Sequence, residues 1–365
     1  MQSLRASIYL AYLVAIVCLA LELCLRFGVV ASEAYKIDTS IAGMREGPRA
    51  LILGDSFSVD GDDSFGRLLG EYLSARDIRS LNLARSGFGY GDYLSMLQRY
   101  GVAFQPDIVI VNTYVGNDTS DTAYRPARTR GGKQFAKRWL ARSYLGSLLL
   151  EVREKAISKN RLERVARVRE SRGRGPSELV NPFLVELSWA HPDCFLTNLL
   201  LETPDALPAW EANQATLLEI ERIADSMNAR LLLSVLPDSV QVNDSHHAFY
   251  KELGFTLDAR MLGTSIPQDL LGRFCADHEL WCLDLLPAFR QHREHELYKT
   301  GDSHWNAEGN RLAFEVVRDE LERSSAVGTR TRPESGVAVD LPQPGDDRPS
   351  IDVRRPAARV SPAAR

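Results

Sequence analysis

Short apolar runs alternate with amphipathic stretches through the middle of this chain. Residues 49–54, Arg-Ala-Leu-Ile-Leu-Gly, form a run too short for a helix and closed by glycine. That length and flank predict a buried strand. The same reading gives strands over 78–83, 107–113, 230–236 and 280–285, the fourth stopped by Pro237. Apolar residues recur at helical spacing over 65–75, 93–100, 217–227 and 307–323. Near-continuous Leu/Ile/Val strands alternating with helices predict an α/β fold on a parallel sheet of roughly five strands, covered on both faces. In such sheets functional groups gather beyond the carboxyl ends of the strands.

The N-terminus follows another pattern. Residues 6–21 carry no charge and are mostly Leu, Ile, Val, Ala and Tyr. Glu22 and Arg26 are spaced to pair on one helix face. The apolar pattern continues through Val30, so 6–30 is read as a transmembrane anchor. A cleaved leader ending near Ala31 is the alternative. Arg5 favours an N-in orientation and an extracytoplasmic catalytic domain, periplasmic or at the cell surface. Residues 31–48 read as a linker and 49–325 as the globular domain.

Two stretches fall outside the strand–helix alternation. Residues 119–213 form a long insertion between the third strand and the next helix. From Arg125 to Arg174 it holds 16 Lys/Arg against 4 Asp/Glu, while the whole chain has a net charge of -4. A solvated helix packed on the domain is one reading of this basic stretch. A surface for phospholipid headgroups or an acidic glycan is the other. The tail, 326–365, holds six of the 17 Pro residues and no aromatics, and is expected to be disordered. The overall charge points to no nucleic-acid partner. Of the five cysteines, Cys275 and Cys282 can bridge in an oxidising compartment, while no zinc spacing appears.

Four polar blocks carry the candidate chemistry. Gly54-Asp55-Ser56-Phe57 follows the first strand. A serine there suits a nucleophile, and equally a helix N-cap. Three glycines at every second position, Gly87, Gly89 and Gly91, suit a loop whose backbone approaches something closely. The amide of Gly87 is a candidate oxyanion donor. Val115-Gly116-Asn117-Asp118 follows the third strand. The Asn117 side-chain amide suits an oxyanion, and the same residues make a good turn. In Asp302-Ser303-His304-Trp305-Asn306, His304 suits a general base and Asp302 the acid that orients it. Asn306 suits the cap of the following helix. His246 and His247 are adjacent and cannot face one site in a helix, while His292 and His295 lie on an Arg/Glu-rich stretch that reads as a solvated helix face rather than a metal site.

In order and content these blocks resemble the SGNH hydrolase superfamily, the GDSL-type esterases. That family is named for Ser, Gly, Asn and His, here Ser56, Gly87, Asn117 and His304. The resemblance covers 50–321 apart from the basic insertion. It implies a three-layer α/β/α sandwich around a five-stranded parallel sheet, flavodoxin-like in architecture. It also implies ester hydrolysis or, in some branches, acetyl transfer to carbohydrate, with no metal or organic cofactor. The implied oxyanion donors are the amides of Ser56 and Gly87 and the side chain of Asn117. Two positions depart from the family pattern. Val115 stands where the family has glycine, and Gly301 stands where its aspartate usually lies. Asp302 resembles the D-x-H-W form of membrane-linked polysaccharide-acetylation relatives.

The expectation is a membrane-anchored esterase acting through an acyl-enzyme on an envelope glycan or lipid. An O-acyltransferase on an envelope polysaccharide is one alternative. A catalytically silent, anchored glycan- or partner-binding domain is another.

Overall fold

The structure is a computed structural model. It describes residues 2–30, 32–44, 46–124, 143–149, scattered positions between 152 and 165, and 180–324. Most of the basic stretch, and the tail expected to be disordered, lie outside the described residues.

Five parallel strands form one sheet: β1 (Arg49–Gly54), β2 (Arg79–Asn82), β3 (Ile108–Tyr114), β4 (Arg230–Leu236) and β5 (Trp281–Asp284). Their order is β2-β1-β3-β4-β5. The chain steps outward from β1 to β2, then crosses back to place β3 on the other side of β1. The loops leaving β1 and β3 therefore diverge from neighbouring strand ends and open a crevice, the usual place for a site in such a sheet.

Alternation along the strands builds two cores. Leu51, Leu53, Val109, Val111, Leu233 and Val235 pack in one buried cluster with Tyr93, Leu97, Ile220 and Phe274. Ala50, Ile52, Ile108, Ile110 and Leu232 point the other way, against Phe65, Leu69, Leu312 and Val317. Successive strand residues face opposite sides, so a sheet apolar on both faces takes a helical layer on each. The result is the three-layer sandwich expected from the sequence. Helices Tyr90–Met96, Ala206–Ser226 and Ile266–Asp277 cover one face, and Phe65–Ser74 and Ala307–Arg323 cover the other.

Several boundaries differ from expectation. The helix expected over 217–227 begins at Ala206. Pro208 lies in its first turn, where amides have no partner inside a helix, so proline does not stop it there. The stretch read as a linker contains a helix, Glu33–Gly43, capped by Ser32 and burying Ala34 and Ile37. Glu33 also pairs with Arg85 at 2.7 Å. The N-terminal helix, Gln2–Arg26, ends before Val30. Its Ser7–Arg26 portion is 20 residues long with a mean hydropathy of 2.5, long and apolar enough to cross a membrane. Arg26 and Glu22 pair at 3.1 Å, as their spacing suggests. Glu22 also accepts the amides of Tyr144 and Leu145, at 3.2 and 2.8 Å, which docks the 143–149 segment of the insertion near the end of this helix.

Candidate active site

The Gly54-Asp55-Ser56-Phe57 block begins at the last residue of β1, where Gly54 pairs with Asn112 of β3. A Cβ on Gly54 would stand 2.5 Å from Ser58 Oγ, so only glycine lets the turn fold back this closely. Asp55 then accepts the amide of Phe57 at 3.0 Å, the local turn contact its position suggests. Its second oxygen accepts from Asn117 Nδ2 at 3.2 Å. Asp55 thus ties the first block to the third across the β1–β3 crevice. It is fully buried. Burial pushes its carboxyl up to about 6, against the opposing pull of the Phe57 amide, the nearby His304 and Asn117.

Gly87 lies on the loop leaving β2, which runs beside the Ser56 turn because the amide of Arg85 donates to Gly54 O at 3.2 Å. Gly87 is exposed and has φ 74°, in the left-handed region, with open space where a side chain would stand. Glycine there is required by conformation rather than by room.

The Asn117 turn is held from three sides. The Asn198 side chain donates to Gly116 O and accepts the amide of Ser120 at 2.7 Å. Asn213 donates to Asp118 O at 3.2 Å. Asp118 is itself buried and accepts from the amide of Tyr114 at 3.0 Å and the hydroxyl of Tyr93 at 3.3 Å. Burial, then Asp55 and Asp121, push its carboxyl well above the usual range. Val115, one of the two departures from the SGNH pattern, is buried in the core of that face.

The fourth block is a tight hairpin. Tyr298 and Trp305 form an antiparallel bridge, and the amide of Lys299 donates to His304 O at 2.8 Å. Trp305 is 1% exposed and packs on Phe57, Phe65 and Phe289. Phe57 also lies 5.0 Å from the His304 ring, between centroids. The imidazole therefore rests on an aromatic floor that includes the residue after Ser56. Asn306 caps the Ala307–Arg323 helix, accepting the amide of Gly309 at 2.9 Å.

This hairpin brings His304 Nε2 to 2.7 Å from Ser56 Oγ, and His304 Nδ1 to 2.7 Å from Asp302 Oδ1. A carboxylate only accepts, so Nδ1 carries the proton and Nε2 is left to accept from the serine hydroxyl. Burial raises the proton affinity of Asp302, but the hydrogen bond and charge of His304, the Asn181 amide and the Ser303 backbone outweigh it. The carboxyl is held at about 2. The histidine thus sits between a hydroxyl it can deprotonate and a carboxylate that stays charged.

Sequence reasoning missed the residues that brace this site from the insertion. Asn181 donates to Asp302 Oδ1 at 3.0 Å, and Asn198 and Asn213 hold the Asn117 turn. Asn181-Pro182 is legible as a helix start, with Pro at N1. Nothing local reveals what its amide faces. The other histidines lie elsewhere. His246 is buried against Tyr298, and His247 meets Asp258 O at 3.0 Å. Among the described residues no cluster of three or more His, Cys, Asp or Glu could hold a metal ion. Cys275 and Cys282 form a disulfide, and Cys194 is free and buried.

No protein-family model matches the chain, and no curated protein matches it. Solved structures are similar to it. One is a GDSL-like lipase from Bacteroides thetaiotaomicron, 9% identical, covering 80% of this chain and 98% of its own, with a TM-score of 0.38. Another is an acetylxylan esterase from Geobacillus stearothermophilus, in a catalytic mutant, 11% identical, covering 76% and 94%, with a TM-score of 0.39. A third is a psychrotrophic esterase from a Pseudoalteromonas species, 13% identical, covering 76% and 99%, with a TM-score of 0.36. At such identities and TM-scores the architecture rests on the chain's own sheet and its β2-β1-β3-β4-β5 order.

Proposed function

We propose that this chain is a serine esterase of the SGNH type that cleaves an acyl ester on a carbohydrate or lipid of the cell envelope. The unbroken hydrogen-bond chain Ser56 Oγ–His304–Asp302, standing at the carboxyl end of the sheet, carries this reading. His304 Nε2 takes the Ser56 proton as Oγ attacks the ester carbonyl. The tetrahedral oxyanion accepts from the amides of Ser56 and Gly87 and from Asn117 Nδ2, which has a second hydrogen beyond the one given to Asp55. Collapse breaks the bond to the leaving alcohol, which receives the proton from His304. Water then attacks the acyl-enzyme, gives its proton to His304, and releases the acid while Ser56 regains its hydrogen.

The apolar N-terminal helix supports a membrane setting, and the Cys275–Cys282 disulfide supports an oxidising, extracytoplasmic one. The test is p-nitrophenyl acetate turnover and fluorophosphonate labelling of the full chain in detergent. Ser56→Ala is expected to abolish labelling and to lower kcat by about 10⁶-fold. A folded wild type that neither labels nor turns over would sink the esterase reading.

The second reading is an O-acyltransferase, favoured by the position of Asp302 two residues before His304. It shares every step up to the acyl-enzyme and replaces water by a sugar hydroxyl. Product analysis with and without a glycan acceptor separates the two. Acylated glycan formed at the expense of free acid selects the transferase.

A further inference from the structure

Among the described residues of the insertion, Asn181 reaches the triad by a direct hydrogen bond. Besides its carbonyl, which accepts the amides of Leu184 and Val185 in the helix that follows, Asn181 makes three hydrogen bonds. Its amide N–H donates to Gly301 O at 2.9 Å. Its Oδ1 accepts the amide of Phe183 at 2.9 Å, capping the Pro182–Ala190 helix. Its Nδ2 donates to Asp302 Oδ1 at 3.0 Å. The orientation of the side-chain amide follows from these partners. A flipped amide would turn an oxygen toward a carboxylate and hydrogens toward an N–H, losing both contacts.

Asp302 Oδ1 is the same oxygen that accepts from His304 Nδ1. Two donors on one oxygen fix the carboxylate plane and leave His304 a single direction in which to hydrogen-bond. The backbone contact to Gly301 holds Asn181 against the turn that carries Asp302. That turn passes through Gly301 at φ 77°, so its path depends on a left-handed residue beside the catalytic acid.

We infer that Asn181 is a positioning residue, acting through Asp302 to aim the His304 imidazole at Ser56. In this way the insertion helps complete the catalytic apparatus instead of merely covering it. The inference rests on the esterase reading for its rate predictions, but the geometry it asserts is measurable without turnover.

Serine is as good an N-cap as asparagine and too short to reach Asp302, so Asn181→Ser separates capping from positioning. Asn181→Asp also keeps a cap oxygen, but sets a second carboxylate against Asp302. Both are made in the full chain and assayed with p-nitrophenyl acetate across pH. Asn181→Ser is expected to stay folded with a modestly lower melting temperature and an unchanged KM, while kcat falls about ten- to a hundredfold, the rate equivalent of one charge-assisted hydrogen bond. Asn181→Asp falls further. In Asn181→Ser the acid limb of kcat/KM also moves, because Asp302 loses one of the donors that hold its carboxyl low. Independently, the downfield proton resonance of His304 Nδ1–H is followed by NMR. It is expected to shift and broaden in both variants, even where the wild type hydrolyses no ester. Variants with unchanged rates, pH profile and Nδ1–H resonance would overturn the positioning role. An inactive wild type whose resonance still moves in Asn181→Ser would overturn the esterase reading alone.

Discussion

Two aspartates stand beside Ser56 and His304, the proposed catalytic pair, and the protein treats them in opposite ways. Asp55, next to Ser56, is fully buried behind the nucleophile turn, and burial lifts its carboxyl to about 6. Asp302, two residues before His304, keeps 23% of its side chain exposed and is held at about 2 by His304, Asn181 and a backbone amide, against the effect of burial. Proximity to the reacting groups therefore does not assign the roles. A carboxylate that must stay charged to steady an imidazole needs donors directed at it. One that braces a turn needs only to accept, and it does so from the Phe57 amide and from Asn117.

Replacing each aspartate by asparagine is the most direct way to break this contrast. Asp302→Asn keeps the shape but presents a donor to His304, favouring the wrong tautomer, and is expected to lower kcat by about 10⁴-fold. Steady-state turnover of p-nitrophenyl acetate checks it, and a loss below tenfold would mean that another group orients His304. Asn117→Ala removes a proposed oxyanion donor and one partner of Asp55. It is expected to cost about 10²–10³-fold in kcat with little change in KM. A loss confined to KM would remove Asn117 from the oxyanion site.

Asp55→Asn should be the mildest in rate, about tenfold, and its main signature is in stability against pH. The carboxyl of Asp55 is raised on folding, so the stabilisation it contributes is complete below about pH 4 and is lost as pH rises through about 6. Asp238, buried against Tyr114 and also raised to about 6 by burial, acts in the same direction. Thermal melts of the wild type should therefore decline from pH 4 to 7, and Asp55→Asn should flatten part of that decline. Asp302 has the opposite sign. Its contribution is present above about pH 4 and is lost as pH falls toward 2. Equal slopes in wild type and Asp55→Asn would show that Asp55 is not the buried, raised group the contrast requires.

Legibility from sequence differed between elements for physical reasons. The strands were readable because a sheet buried on both faces demands near-continuous apolar runs, and 49–54, 107–113 and 230–236 are too short for helices of their own. The edge strands β2 and β5 were also found, though the structure trims them to four residues each. The helix at Glu33–Gly43 was missed because only two of its residues are buried, a weak apolar stripe. The full length of Ala206–Ser226 was hidden by Pro208, which marks a break anywhere but in a first turn. Within the site, Ser56, Asn117, Asp302 and His304 were all named from local spacing, while Asn181, Asn198 and Asn213 were not.

Local chemistry along the chain determined the strand–helix alternation, the blocks that follow β1, β2 and β3, and the Asp302–His304 pairing, whose members are two residues apart. These depend on periodicity and short-range reach, which a linear sequence displays. Only the tertiary structure decided that Asp55 meets Asn117 across 62 residues and that Asn181 meets Asp302 across 121. Those contacts follow from the crossover that sets β3 beside β1 and from the path by which the insertion returns to the hairpin. A side chain's partner at such a separation is determined by the route of the backbone, and no spacing rule along the chain encodes that route.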